Sequence, residues 1–390
     1  MTKPRVLIYV KHYKPGFRAG GPTRSLVNIV DSLYKKIDFF IVCLGRDHNS
    51  YNSYQKIKKN LWIKKFNVNI YYYSKENINP FFYHKTHIKV KPDLVYVNSF
   101  FDLFFSFFPL LIYKLFLNNV PILISPRGEL QDAALKIKKQ KKFFYLFVCK
   151  ALNLHSTVQW HATSDDVRNN IKKNGFGLDN KIHIASNISV FNKKKINYKK
   201  KEKGSLNIIL PARISMMKNT YFAVELISRL NNKKINFDIY GTIEDNNYWK
   251  KCLTLINSSS ESNIKYCGEY SNEELDEKFA MYDLMFLPTM GENFGHSILE
   301  SFARGLPVLI SDNTPWTNLN KFNVGYDINL NKPEDFISKI EFFLNMNNHD
   351  LLVMRKSCVN YFNKKINIQN IVSDYDYIFS NQIKRNNLCK

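Results

Sequence analysis

The chain has 390 residues, enough for two domains of ordinary size. Apolar residues make up 45 % of it, which excludes a disordered polar chain. A net charge of +24 is compatible with nucleic acid, an anionic membrane or an anionic substrate as partner, and also with a general bias toward lysine. Only 11 of the 57 basic residues are arginine, whereas proteins that read bases rely on arginine, so we expect no nucleic acid partner.

The cysteines and the apolar segments indicate the compartment. The six cysteines lie far apart without a CxxC pair, which favours a reducing, cytoplasmic setting. The apolar run at the start is too short for a signal peptide and predicts a strand. The longest apolar stretch, Phe100–Leu117, is interrupted by Asp102, Pro109 and Lys114, so it predicts a core helix, with membrane-surface contact as the alternative. Any membrane association should therefore be peripheral, at the inner face.

The first half of the chain alternates strands and helices. Arg5–Val10 predicts a strand, a loop rich in glycine, proline and basic residues follows, and residues 24–33 have the apolar spacing of a helix. A second strand is predicted at Asp38–Leu44, which completes one unit of a parallel α/β sheet. Further strands are predicted at Asp93–Val97, Ile122–Ser125 and His161–Thr163.

A polar, lysine-rich segment at Phe191–Ser205 predicts a linker. We therefore expect one domain at 1–195 and another at 196–390. In the second domain the predicted strands are Leu206–Pro211, Phe237–Tyr240, Leu284–Leu287 and Pro307–Ile310, and the predicted helices are Thr220–Leu230, Glu273–Met281 and Ser297–Arg304. A last helical stretch, Asp350–Ile383, could cross back to the first domain.

The most specific stretch is Met285–Asp312. A strand leads through a glycine-containing loop into a helix, and such a loop offers backbone N–H groups to oxyanions or sugar hydroxyls. Glu292 lies in the loop and Glu300, eight positions later, lies in the helix. Ionised carboxylates at these places can bind hydroxyls of a sugar and a ribose. The alternative is a helix-capping acid at Glu292 and a solvated helix residue at Glu300.

This stretch resembles the retaining glycosyltransferases of family four, whose E-x7-E motif corresponds here to Glu292 and Glu300. The flanking sequences, ENFG before the helix and ARGLPV after it, also match that family. The resemblance implies a GT-B fold, two Rossmann-like domains with the site in a cleft between them. It further implies that Glu300 binds the nucleotide ribose and Glu292 approaches the donor sugar. The backbone of Asn293, Phe294 and Gly295 would then meet the sugar or the phosphates.

Two further matches concern the donor phosphates. Arg213 and Lys218 lie five apart in the loop PARISMMKN, and two cations beside a helix N-terminus suit a diphosphate. The resemblance implies that they stabilise the leaving nucleoside diphosphate. Gly20 and Gly21 follow the first strand, where the family has a glycine pair near the donor phosphates. Turns require glycine in any case, so this pair alone is weak evidence.

The acceptor side departs from the family. Many members have a histidine here, whereas this chain has Asn98 after one strand and Arg127 in the segment SPRGEL. His161 is a weaker substitute. The acceptor-side candidates are Arg127, Glu129 and Asp132, and the two carboxylates could accept a proton or act only as helix caps.

Two further stretches could bind a metal or a membrane, and each also has a simpler structural interpretation. Asp165 and Asp166 predict a helix N-terminus rather than a metal site, and we expect neither a metal nor another cofactor. Lys136–Leu146 combines five lysines with aromatic residues, which suits a helix at an anionic membrane surface and equally a solvated helix.

The sequence therefore predicts a nucleotide-sugar-dependent hexosyltransferase. It would transfer a sugar with retention from a nucleoside diphosphate sugar to an acceptor hydroxyl on a glycan, or on a lipid-linked or surface-polysaccharide intermediate. The alternatives are a non-catalytic GT-B sugar-binding protein and a basic nucleic-acid-binding protein.

Overall fold

The chain forms two compact units, residues 1–188 together with 368–390, and residues 189–367. The computed structural model describes residues 2–74, 79–117, 119–136, 138–188, 196–259, 263–270 and 274–388. Each unit contains one sheet with helices between its strands, so the predicted α/β class with two Rossmann-like units is confirmed. The predicted linker begins at 191–195, outside the described residues, and its remainder, 196–205, contains no helix or strand.

Eight strands form the sheet of the first unit. They are β1 (Arg5–Tyr9), β2 (Asp38–Leu44), β3 (Trp62–Lys65), β4 (Val68–Tyr73), β5 (Leu94–Val97), β6 (Ile122–Ile124), β7 (Gln159–Ala162) and β8 (Ile182–Ile184). Their order is β3-β4-β2-β1-β5-β6-β7-β8, and all neighbours run parallel except β3, which is antiparallel to β4. Because β2 and β5 flank β1 on opposite sides, the strand order reverses between β1 and β5. In open α/β sheets, ligands bind at the carboxyl ends of the strands beside such a reversal.

The helices of the first unit are α1 (Gly21–Leu33), α2 (Phe81–Val90), α3 (Phe108–Phe116), α4 (Asp132–Lys136), α5 (Lys139–Ala151) and α6 (Asp165–Lys173). The central strands are apolar along their whole length because helices cover both faces of a parallel sheet. In β1, for example, residues 6–9 are fully buried. The side chain of Ser164 accepts a hydrogen bond from the N–H of Val167 at the start of α6, which confirms the predicted helix N-terminus.

The long apolar stretch forms a π-helical turn, Leu103–Phe107, followed by α3. Leu110 and Tyr113 are buried in the core, as a core helix requires, whereas Leu115 and Phe116 at the end of α3 are exposed. In the part of the chain that the structure describes, no helix has the length and apolar content to cross a bilayer.

The segment Lys136–Leu146, expected as one helix, is not continuous, and its contact with a membrane stays a prediction. α4 ends at Lys136, and α5 begins at Lys139 after Lys138, which adopts a left-handed conformation with φ of 54°. A left-handed residue ends a right-handed helix, so the lysines are divided between two short helices.

The last helix, α13 (Ile368–Leu388), belongs to the first unit. Its Phe379 ring lies 5.6 Å from the ring of Tyr96 in β5 and 6.4 Å from that of Phe39 in β2. The Tyr375 hydroxyl donates to the carbonyl of Ala185. The predicted helical stretch Asp350–Ile383 is thus divided: residues 368–383 return to the first unit, whereas the helix Asn348–Lys365 belongs to the second. The range 196–390 for the second domain is corrected accordingly.

Six parallel strands form the sheet of the second unit: β9 (Leu206–Pro211), β10 (Ile235–Tyr240), β11 (Asn263–Tyr266), β12 (Leu284–Leu287), β13 (Val308–Ser311) and β14 (Gly325–Ile328). Its helices are α7 (Thr220–Leu230), α8 (Asn246–Ser258), α9 (Leu275–Ala280), α10 (His296–Ala303), α11 (Pro333–Asn345) and α12 (Asn348–Lys365). The strand order is β11-β10-β9-β12-β13-β14, so it reverses between β9 and β12. The loops after these two strands contain the predicted donor residues.

Candidate functional site

The loop after β12 leads into α10 through Gly295, which has a φ of 74°. A β-carbon at this position would lie 2.9 Å from the Ile298 side chain and 3.1 Å from the Trp316 indole nitrogen, so glycine is required. The Trp316 indole N–H donates to the carbonyl of Phe294 at 2.6 Å. These contacts fix the backbone of the Asn293–Gly295 segment at the N-terminus of α10.

The two glutamates differ in their surroundings. Glu300 is only 4 % exposed within α10, so the alternative of a solvated helix residue does not hold. Glu292 is not the N-cap residue of α10, because Gly295 occupies that position three residues later. Its backbone N–H instead donates to the carbonyl of Asn313 at 3.1 Å, which ties this loop to the segment after β13.

Lys218 and Glu292 form an ion pair, and both side chains are 14 % exposed. The pair joins the loops after β9 and β12, which meet at the reversal of strand order. Two hydrogen bonds to the Met217 carbonyl reinforce this junction, from the Thr289 hydroxyl at 2.9 Å and from the Met290 N–H at 2.8 Å. A cation and a carboxylate predicted independently from two motifs are thus brought into direct contact.

Arg213 lies in the same loop as Lys218 and pairs with a residue that the sequence analysis missed. Its Nη1 is 2.6 Å from Oε1 of Glu244, which follows β10. The strands β10, β9 and β12 are neighbours in the sheet, so the three loops lie at one edge. The sequence does contain one signal that the loops after β9 and β10 approach each other. It is Gly241, directly after β10, because a glycine at a strand end often marks a close backbone approach.

In the first unit, Gly20 and Gly21 lie at the start of α1. Gly20 has a φ of 72° and occupies the N-cap position, and no side chain caps the helix there. A glycine at the N-cap has no side chain to bond to the N–H groups of the first turn, which Gly21 and Thr23 provide because Pro22 has none; helix N-termini of this kind suit an anion. The helix follows β1, one of the two strands at the reversal in this sheet.

Arg127 is buried and holds other parts of the first unit together. Its Nε donates to Oδ1 of Asn98 at 2.8 Å and its Nη1 to Oδ1 of Asn187 at 2.8 Å. Its Nη2 donates to the hydroxyl of Tyr96 at 3.2 Å. The same hydroxyl lies 2.8 Å from Nδ1 of His161, and burial lowers the pKa of that histidine to about 3. A buried, neutral His161 bonded on both ring nitrogens is suited to packing rather than to proton transfer.

Glu129 anchors the loop that follows β5. Its Oε2 accepts from the N–H groups of Phe100 and Phe101 at 2.9 and 2.8 Å, and burial raises its pKa despite these hydrogen bonds. Asp132 lies apart on the surface, where its hydrogen bond and ion pair with Lys173 at 2.7 Å lower its pKa. The three acceptor-side candidates therefore occupy three different environments.

No group of three or more histidine, cysteine, aspartate or glutamate side chains suited to a metal occurs among the described residues. The expectation that no metal or other cofactor is needed stays a prediction.

The family model described as "Glycosyl transferases group 1" matches residues 191–365, which include Arg213, Lys218, Glu292 and Glu300. An uncharacterized 41.2 kDa protein in the cps region of Klebsiella pneumoniae is 25 % identical over 120 residues. That stretch is 30 % of this chain and 31 % of the relative, so the similarity spans about a third of the relative's length.

Solved structures match nearly the whole chain. Alr3699/HepE of Anabaena in complex with UDP and glucose is 14 % identical, with a TM-score of 0.71 and coverage of 97 % of this chain and 100 % of that one. Sucrose-phosphate synthase of Thermosynechococcus elongatus is 14 % identical, with a TM-score of 0.73 and coverage of 98 % and 100 %. WaaG, a glycosyltransferase involved in lipopolysaccharide biosynthesis, is 11 % identical, with a TM-score of 0.62 and coverage of 96 % and 99 %. At these identities the likeness to solved structures establishes the GT-B fold alone, and the match to the group 1 glycosyl transferase model lies in the second unit.

Proposed function

We propose that the chain is a retaining hexosyltransferase that moves a sugar from a nucleoside diphosphate sugar to an acceptor hydroxyl. In this reaction the acceptor oxygen bonds to the anomeric carbon and the bond from that carbon to the diphosphate breaks. The hydroxyl proton passes to the departing diphosphate. The acceptor is a glycan, as in a lipid-linked or surface-polysaccharide intermediate.

The Lys218–Glu292 pair at the strand reversal of the second unit is the observation that carries the proposal. Lys218 and Arg213 supply positive charge for the diphosphate, which becomes more negative as it leaves. Glu292, held beside that positive charge, faces the sugar, whose reacting carbon becomes electron-poor in the transition state. Glu300, buried in α10, binds the ribose hydroxyls as a paired acceptor.

In the proposed enzyme, Arg127 and Glu129 act on the acceptor side by holding the loop after β5. The Arg127 guanidinium donates to the Asn98 side chain at the start of this loop. The Glu129 carboxylate accepts from the backbone N–H of Phe100 in the next turn. Nζ of Lys11, which follows β1, lies 3.2 Å from Oδ2 of Asp102 at the end of the same loop. The two loops at this strand reversal are thus joined, and they are our candidate for contact with the acceptor.

The test is product release from a panel of sugar nucleotides, beginning with UDP-glucose because HepE was solved with UDP and glucose. NMR of the product's anomeric proton reports retention or inversion. We expect release of nucleoside diphosphate with one donor, retention in the product, and unchanged activity in EDTA. Donor binding without turnover, across a panel of glycan and lipid-linked acceptors, would instead support the non-catalytic alternative.

A membrane surface is the second part of the proposal. Phe143, Phe144 and Phe147 on α5 are 71 %, 68 % and 62 % exposed, and the lysines at 138, 139 and 141 beside them are exposed as well. Lys142 is different, since its Nζ donates to the Ala134 carbonyl at 2.6 Å. Exposed aromatic rings next to lysines suit the headgroup region of an anionic bilayer.

The end of α3 carries further exposed apolar residues. Lys114 Nζ donates to the carbonyl of Leu152 at 2.9 Å, which brings the last turn of α3 to the end of α5. Leu115 and Phe116 in that turn are exposed. The two helix ends together therefore expose a larger apolar area than α5 alone.

Binding to vesicles tests this part with the full chain. We expect binding to vesicles containing phosphatidylglycerol and weaker binding as salt rises. Replacing both Phe143 and Phe144 by serine should weaken binding about 100-fold or more, because each buried ring contributes about 1.5–3 kcal/mol. Phe81→Ser is the matched control, since this ring is 73 % exposed at the start of α2. Equal binding by all variants, or no binding at low salt, would show that the aromatic surface does not meet lipid.

A further inference from the structure

Glu244 is placed opposite Arg213 by the backbone of both loops. The Glu244 N–H donates to the carbonyl of Ile214 at 3.0 Å, and the Ile214 N–H donates to the carbonyl of Thr242 at 2.9 Å. These bonds extend the parallel pairing of β9 and β10 beyond the strands. The side chains of Arg213 and Glu244 therefore leave two strand extensions that are fixed to each other.

This close pairing requires Gly241. Its φ is 145°, and a β-carbon there would lie only 2.0 Å from the carbonyl oxygen of Ala212. Any larger residue would push apart the loops that carry Arg213 and Glu244. The backbone therefore holds the loops of Arg213 and Glu244 at a fixed separation.

The other side of Glu244 is anchored as well. The next residue, Asp245, caps α8 by accepting from the N–H groups of Asn247 and Tyr248 at 2.8 and 3.0 Å. The Tyr248 hydroxyl in turn accepts from the N–H of Tyr221, in the first turn of α7, at 2.8 Å. Glu244 therefore lies between a strand extension and a capped helix, with little freedom to move.

We propose that Glu244 is a positioning residue that holds the guanidinium of Arg213 ready for the donor diphosphate, an inference that rests on the proposed function. The ion pair uses Nη1, and arginine carries further N–H donors in the same rigid plane. Because the guanidinium is rigid, holding Nη1 also orients the remaining N–H donors of Arg213. A long side chain that is already ordered loses less conformational freedom when the ligand binds, so the affinity for the diphosphate rises.

Glu244→Gln tests this inference, because it keeps the shape of the side chain and removes its charge. The probe is the tightest binder among UDP, GDP, ADP and dTDP, measured by calorimetry, with donor KM and kcat measured alongside. Since Arg213 and Glu244 are each about one third exposed, we expect binding to weaken about 3- to 5-fold, with donor KM raised by a similar factor. The matched control is Glu334→Gln, which breaks a similar surface pair with Arg229, between α7 and α11.

A double-mutant cycle separates positioning from a general structural effect. In the Arg213→Ala background, Glu244→Gln should leave nucleotide binding unchanged, because the group it positions is gone. An equal loss in both backgrounds overturns the inference, and so does tighter binding in Glu244→Gln, which would mean that the carboxylate competes with the diphosphate. Wild-type binding by Arg213→Ala overturns both the diphosphate site and this inference, whereas weak binding by Arg213→Ala with normal binding by Glu244→Gln overturns this inference alone.

Discussion

Replacing Lys218 with methionine separates what the Lys218–Glu292 pair contributes to stability from what it contributes to turnover. Each side chain is 14 % exposed, so the pair is intermediate between a surface pair and a buried one. Surface pairs contribute about 0–1 kcal/mol, and removing one member of a buried pair costs about 3–5 kcal/mol. We therefore expect the free energy of unfolding to fall by about 2 kcal/mol. Turnover should fall about 100-fold or more, as it does when other hydrogen-bond donors that stabilise a developing anion are removed.

The double variant Lys218→Met/Glu292→Gln then removes the carboxylate that the first change leaves without its cation. Most of the lost stability should return, because no uncompensated charge remains, while turnover stays low. Urea denaturation followed by circular dichroism gives the stability, and release of nucleoside diphosphate gives the turnover. Arg229→Met is the control, since the Arg229–Glu334 pair is more exposed and belongs to no predicted site.

Two results would refute this reasoning. Wild-type turnover in Lys218→Met would remove the lysine from the donor site. A double variant no more stable than Lys218→Met would show that the stability was lost for a reason other than the unpaired carboxylate.

Three further predictions concern single residues. Glu300→Gln should mainly raise donor KM, whereas Glu292→Gln should mainly lower kcat; similar changes of about 0.5 kcal/mol in both would contradict the two roles. Trp316→Phe should reduce the free energy of unfolding by about 1–3 kcal/mol and lower kcat, because the Phe294 carbonyl loses its donor; unchanged kinetics would show that this bond does not order the loop. Because burial lowers the pKa of His161 from 6.5 to about 3, the unfolded chain binds more protons in that window, so stability should fall as pH falls from 6.5 toward 3. A pH series of melting temperatures should show this slope, flattened in His161→Gln; the same slope in both proteins would assign it elsewhere.

The sequence predicts the central strands of each sheet well and the edge strands poorly. β9 and β12 have the predicted bounds because both faces of a central parallel strand are covered and the run is apolar throughout. The strands β3 and β4 were missed, and β3 is the edge strand that carries two exposed lysines, Lys64 and Lys65. β14, an edge strand of the sheet in the second unit, begins with Gly325 and consists of only four residues. Short polar edges lack the apolar pattern on which strand prediction depends.

For the candidate site, the motifs indicate the residues but not their partners. Arg213, Lys218 and Glu292 each lie in a loop after an apolar run, and the family resemblance marks them as site residues. That Lys218 pairs with Glu292, 74 positions away, follows only from β9 and β12 being neighbours. Glu244 was missed for the same reason, since one sequence contains no information on which loops meet. That Arg127 is buried and bonded to Asn98 and Asn187 likewise follows only from the fold.

The place of α13 in the first unit affects how the protein is made. The second unit, 189–367, is one continuous segment, whereas the first unit is completed only by residues 368–390. During synthesis the whole second unit is translated before the helix that covers Phe39 and Tyr96. The unit that begins the chain is therefore the last to complete its core, and a fragment ending at residue 188 would expose apolar surface to chaperones and to aggregation.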